Sequence, residues 1–219
     1  QGNPVNGGMS TVRFERKGDL LGATYLVAKN AGVVQNDIAN RIDKVELLIG
    51  GQIIDTQEKE YSTNIWRNFE GSQAKAAAPT TFYPLHFFFC DNSTLALPLV
   101  ALQYHDVEIR IYWSSGIVAG DSFECWSNFI YLDQAEREHF ANSPRNMLIK
   151  QVQSVPASNE PAMDLTFNHP VAYIACDAAN PLDGGNVLSD TVQFKINGTD
   201  VGELMEIEPH YSLTPLYYN

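Results

Sequence analysis

An all-β sandwich is the fold class that the sequence predicts, and three observations predict it. Apolar and polar residues alternate with period two where β-branched and aromatic types are plentiful. Two dipeptides suited to tight hairpins, Gly50-Gly51 and Asn197-Gly198, sit between alternating segments. Helical periodicity is confined to two short stretches, which read as excursions between strands.

In chain order, the first clear strand is Lys44–Ile49, where Val45, Leu47 and Ile49 share one face. Gly50 and Gly51 follow it and accept the positive φ angles of a two-residue turn. Asp55-Thr-Gln-Glu58 reads as an acidic variant of a capping box. It would open a helix on which Tyr61, Ile65 and Phe69 fall on one face until Gly71. The runs Phe82–Cys90 and Leu95–Leu102 are too apolar to alternate and are predicted to lie inside. Pro84 and Pro98 place them at strand starts, edges or turns, where a missing N–H does no harm. Asp106–Trp113 alternates again, with Val107, Ile109, Ile111 and Trp113 on one face. Asp133-Gln-Ala-Glu136 opens a second, shorter helix that must end before Pro144. Last comes Thr191–Ile196, with Val192, Phe194 and Ile196 together, closed by the turn at Asn197 and Gly198. Each of the three alternating strands is expected to cover a core on one side only.

A weak internal echo bears on domain organisation. Lys44-Val-Glu-Leu-Leu-Ile-Gly-Gly and Thr191-Val-Gln-Phe-Lys-Ile-Asn-Gly superpose at an offset of 147 residues, and Tyr25-Leu-Val-Ala echoes Tyr173-Ile-Ala-Cys at 148. Two matches in the same order point to two copies of one β-domain. The expected boundaries are a first domain over residues 1–150, a linker at 151–161 bearing Pro and Ser, and the beginning of a second domain at 162–219. The second copy stops early, so the chain is expected to be a fragment.

Composition narrows the function. With 44% apolar and 18% charged residues over 219 positions, the chain has the profile of a globular protein. No run approaches the ~18 apolar residues of a membrane helix, and Gln1-Gly-Asn-Pro4 has the features of no targeting signal. A soluble protein is the expectation. A net charge of −12, with 14 basic residues scattered among 26 acidic ones, argues against direct nucleic-acid binding. Cys90, Cys125 and Cys176 form no Cys-x-x-Cys pair and are read as buried free thiols in a reducing compartment. His86, His105, His139, His169 and His210 lack metal-ligand spacing, which leaves a cupin-type enzyme without a ligand set. His105-Asp106 has no nucleophile turn beside it and reads as a strand start. No catalytic residue, metal or cofactor is predicted. Asn92-Ser-Thr94 and Asn197-Gly-Thr199 are sequons, read here as turn residues with glycosylation as the alternative.

The block Phe82-Tyr-Pro-Leu-His-Phe-Phe-Phe-Cys-Asp-Asn-Ser-Thr-Leu-Ala-Leu-Pro-Leu-Val-Ala-Leu-Gln-Tyr-His-Asp-Val-Glu-Ile109 closely resembles the signature of the major capsid proteins of nucleocytoplasmic large DNA viruses. Arg41–Asp55, Ile130–Phe140 and Leu165–Pro170 support the resemblance in family order. It implies two consecutive jelly rolls, here the first and the start of a second. It further implies a homotrimer forming a pseudo-hexagonal capsomer, in an icosahedral shell built from many copies around an inner membrane. Neighbouring capsomers and minor capsid proteins beneath the shell are the implied partners, and the virion, assembled in the host cytoplasm, is the implied location. Phe87, Phe88, Leu97, Pro98, Leu99, Leu102, Gln103, Tyr104 and His105 are the signature positions assigned to core and assembly. The loops after Gly71, Gly116 and Pro181 would carry surface variation. Two other readings remain at this level: a minor or penton-like jelly-roll component of the same shell, and a carbohydrate-binding β-sandwich, which needs exposed aromatic rings on one face.

Overall fold

The computed structural model describes residues 3–66, 81–143, 146–156, 162–175 and 191–206. The chain falls into two compact units, one of residues 1–62 and 78–154, the other of residues 63–77 and 155–219.

The first unit is built on two antiparallel sheets. One takes β1 (Met9–Arg13), β4 (Ile42–Ile49), β5 (Gln52–Glu58) and β8 (Val107–Trp113), in the order β1-β8-β4-β5. The other is organised on β2 (Leu20–Asn30), which pairs along its length with β9 (Asp121–Ile130). Three short strands also pair with β2: β3 (Val33–Val34), β6 (Tyr83–Leu85) and β7 (Leu97–Pro98). Thr24, Tyr25 and Leu26 are matched by both β6 and β9. A strand has only two edges, so β9 must lie on one and β6 on the other.

The alternation predicted for Asp106–Trp113 is realised in β8, where Val107, Ile109, Ile111 and Trp113 are buried and the residues between them half-buried. Their side chains join Leu21, Leu26 and Ala28 of β2, Val45 and Leu47 of β4, and Phe87 and Phe89 in one apolar core drawn from both sheets. Trp113 meets Phe123 of β9 at 4.1 Å between ring centroids. Its indole N–H donates to Ser10 Oγ at 2.8 Å, which satisfies the polar edge of a buried ring. Gly50 and Gly51, at φ +60° and +81°, turn β4 into β5.

Four expectations need correction. β4 does not bury one face only: Glu46 and Leu48 are buried along with Val45 and Leu47. A register shift at Leu47/Leu48 breaks the strict alternation. Glu46 sits among Lys44, which donates to it at 2.8 Å, and the Tyr112 hydroxyl, at 2.9 Å. Second, Asp55 caps no helix. It lies within β5, fully buried, and accepts hydrogen bonds from the Val152 and Thr56 amides and from Gln57 Nε2. The strand continues to Glu58, with π-helical winding over Tyr61–Ile65; Phe69 and Gly71 lie outside the described residues. Third, Phe82 and Leu95 are exposed, although the rest of their two runs is mostly buried.

The second helix is as predicted. α1 (Gln134–Asn142) opens on a complete capping box, Asp133 accepting from the Glu136 amide at 2.8 Å and Glu136 from the Asp133 amide at 3.2 Å, and ends before Pro144. Arg137 on this helix donates from Nε and Nη2 to the two oxygens of Asp19, which also accepts from the Leu132 amide.

In the second unit, β10 (Thr191–Ile196) and β11 (Thr199–Glu206) form an antiparallel hairpin turned by Asn197 at φ +50° and Gly198 at +77°. Here lies the fourth correction: Phe194 and Ile196, predicted to cover a core, are exposed. Among the described residues the second unit has only this two-stranded ribbon, which has no second layer to bury them. Tyr173, matched by the echo to Tyr25 of β2, lies outside any strand.

Candidate assembly surface

Residues 82–109 pass from β6 through a turn, a short 3-10 helix (Ser93–Leu95), β7 and a loop into β8. Three consecutive aromatics in a strand would place one ring on the wrong face. The turn closed by Cys90 N–H on Phe87 O (2.7 Å) lets Phe87, Phe88 and Phe89 all enter the core. Phe89 stacks with Phe87 at 6.1 Å and meets Phe88 edge-on at 5.4 Å. Burial holds the His86 imidazole down at about 3, hence neutral, and raises the Cys90 and Cys125 thiols to about 12 and about 11. Both cysteines are free and half-buried; Cys176 lies outside the described residues.

The remaining signature residues divide between core and surface. Leu97 and Pro98 form β7 against Leu21 and Leu20, and Leu99 is buried beside them. Leu102 is half-buried, and its carbonyl accepts from Arg16 Nη2 at 2.7 Å. Gln103, Tyr104 and His105 leave the core altogether, Tyr104 being 92% exposed. Asn92 caps the 3-10 helix, accepting from the Thr94 amide at 3.1 Å, and Asn197 occupies its turn; both are exposed. Of the loops expected to vary, the one after Gly116 is exposed, and those after Gly71 and Pro181 lie outside the described residues. Beside the signature, an open cleft of about 890 Å³ is lined by Phe14, Arg16, Leu99, Leu102, His105 and Val107. Among the described residues no group of three His, Cys, Asp or Glu is placed to hold a metal ion, and no helix is long and apolar enough to cross a membrane.

Sequence reasoning missed a row of rings on the second sheet. Tyr25 of β2, Trp126 of β9 and Phe82 beside β6 are 37%, 52% and 49% exposed. Tyr25 is in register with Trp126 on one side and with Pro84 on the other, and its ring meets Phe82 edge-on at 5.8 Å. No local pattern joins positions 25, 82 and 126; strand pairing does.

The profile of the major capsid protein N-terminus matches residues 1–168, more than three quarters of the chain. The chain belongs to this capsid protein family. It is 35% identical to the major capsid protein of Pyramimonas orientalis virus, in an alignment covering 90% of this chain and 59% of the relative. It is 29% identical to that of Paramecium bursaria Chlorella virus 1, over 77% of this chain and 48% of the relative. The chain thus spans about half to three fifths of the length of these relatives. The quasi-atomic PBCV-1 virus capsid matches 98% of the chain, and 71% of its own, at a TM-score of 0.68 and 23% identity, which shows a shared fold. The strand sandwich is therefore that of the jelly-roll capsid proteins.

Proposed function

We propose that the protein builds the icosahedral shell as a homotrimer whose jelly rolls form a pseudo-hexagonal capsomer, made and assembled in the host cytoplasm, with minor capsid proteins beneath it. The family match over residues 1–168 carries this reading. The echo between Lys44–Gly51 and Thr191–Gly198, each a hairpin in the structure, supports a second jelly roll after the first, with 151–161 as the linker. The division at 154/155 between the two compact units falls within that linker, although residues 63–77 group with the second unit. In this reading Phe87, Phe88, Leu97, Pro98 and Leu99 stabilise the sandwich, and Gln103, Tyr104 and His105 stand where a neighbour can reach them. No catalytic role is proposed.

The mass of the full-length protein in solution, by light scattering on a sizing column with electron microscopy of the peak, tests it. A trimer with a hexagonal outline is expected; a stable monomer would overturn the capsomer.

A further inference from the structure

We propose that Asp55 and Gln57 act as a buried relay that ties residues 150–152 to the backbone at His86. The end of the first unit and the start of the turn at 87–90 are then held or released together. The inference concerns the first unit by itself and does not depend on shell building. β5 carries Asp55 and Gln57 two positions apart, hence on one face, and each is 1% exposed. Alternation would place apolar residues there. A buried polar pair destabilises unless every group is matched; once matched, it fixes one arrangement of its neighbours.

The bonds run in one order of donors and acceptors. Asp55 Oδ1 accepts from the Val152 amide at 2.8 Å and from the Thr56 amide at 3.0 Å. Its Oδ2 accepts from Gln57 Nε2 at 2.8 Å, and Gln57 Oε1 accepts from the His86 amide at 3.2 Å. A carboxylate offers only acceptors and a peptide N–H only a donor, so one orientation of the Gln57 amide satisfies both ends and the other satisfies neither. Turning that amide breaks both bonds at once. The two ends matter to the fold. Val152 lies just before the first unit ends at Ser154, and His86 directly precedes the turn that carries Phe87, Phe88 and Phe89 into the core. Lys150 also reaches Asp91, beyond that turn, at 3.1 Å, but its side chain is 59% exposed and the pair contributes little in water. The buried route through Asp55 and Gln57 is the one that can transmit a change.

Hydrogen exchange of the full-length protein, read by mass spectrometry on fragments that resolve residues 86 and 152, tests the relay. Asp55→Asn keeps an oxygen for Val152 and Thr56 but turns an N–H toward Gln57. Gln57 must then reverse its amide and point its own donor at the His86 N–H. Exchange at His86 is expected to be about tenfold faster, although residue 55 does not touch it. Gln57→Leu should speed exchange at Val152 in the same way. The swap of Asp55→Asn with Gln57→Glu restores the original order of donors and acceptors at the same charge, and should return both amides to within about threefold of wild type. Three results would each overturn the relay: His86 unchanged in Asp55→Asn, Val152 unchanged in Gln57→Leu, or a double variant no better than the singles. If Asp55→Asn does not fold, the double variant decides. The relay predicts a folded protein with a Tm close to wild type, whereas independent bonds predict that the second substitution adds its own loss.

Discussion

Two buried carboxylates of this protein should titrate with opposite effects on stability. Arg137 and the Leu132 amide hold the Asp19 carboxyl below the usual carboxylate range. Its contribution is present above the unfolded value of about 4 and is lost as pH falls through the folded one. Burial raises Asp55, against the pull of the hydrogen bonds from Val152, Gln57 and Thr56. Its folded form therefore holds a proton more tightly than the unfolded chain does. That contribution is complete below about 4 and is lost as pH rises through the folded value. Melting curves of Asp19→Asn and Asp55→Asn against pH should diverge from wild type in opposite directions; parallel curves would refute the assignment. A third residue pair is stricter. Arg41 and Asp121, with side chains 5% and 1% exposed, are joined at 2.8 Å, and Asp37 is a second, half-exposed partner of Arg41. Asp121→Ala strands a buried guanidinium and should cost about 3 kcal/mol in denaturant unfolding.

The β4–β5 hairpin separates two costs that a glycine turn can hide. Both glycines have positive φ, which disfavours any side chain by about 1–2 kcal/mol. A Cβ at Gly51 would meet nothing within 4 Å, whereas at Gly50 it would come within 2.6 Å of His105 Nδ1. Gly50→Ala should therefore destabilise more than Gly51→Ala, and His105→Ala should recover the difference in a double-mutant cycle. Equal effects of the two substitutions would show that the His105 ring simply moves aside. The edge strand β5 is held differently: Gln151 Nε2 donates to the Ile54 carbonyl at 2.8 Å, covering a backbone group that would otherwise be open, and Val152 N–H donates to the Asp55 carboxylate at 2.8 Å. Asp55→Ala should speed hydrogen exchange at the Val152 amide well before global unfolding, as measured by NMR.

At the scale of the molecule, the capsid sandwich depends on one core fed by both sheets. Phe89, fully buried between Phe87 and Phe88, is its test position. Phe89→Ala should cost about 3–5 kcal/mol of unfolding free energy, since a cavity that size does not collapse fully. A loss under 1 kcal/mol would mean the turn at 87–90 can repack.

By itself the sequence determined the sandwich, the β8 face from Val107 to Trp113, both hairpin turns and the capped helix at Asp133, because period-two alternation, positive-φ residues and caps are local chemistry. The signature from Phe82 to Ile109 was likewise legible as a run, and with it the family. Only the tertiary structure decided that Asp55 belongs to a buried strand and caps nothing, because its segment pairs with β4 and one of the three bonds its carboxylate accepts comes from residue 152, about a hundred positions away. It also decided that Phe82 faces water beside Tyr25 and Trp126. Pairing between strands distant in sequence sets which side of a sheet a ring occupies, and no window along the chain contains that information.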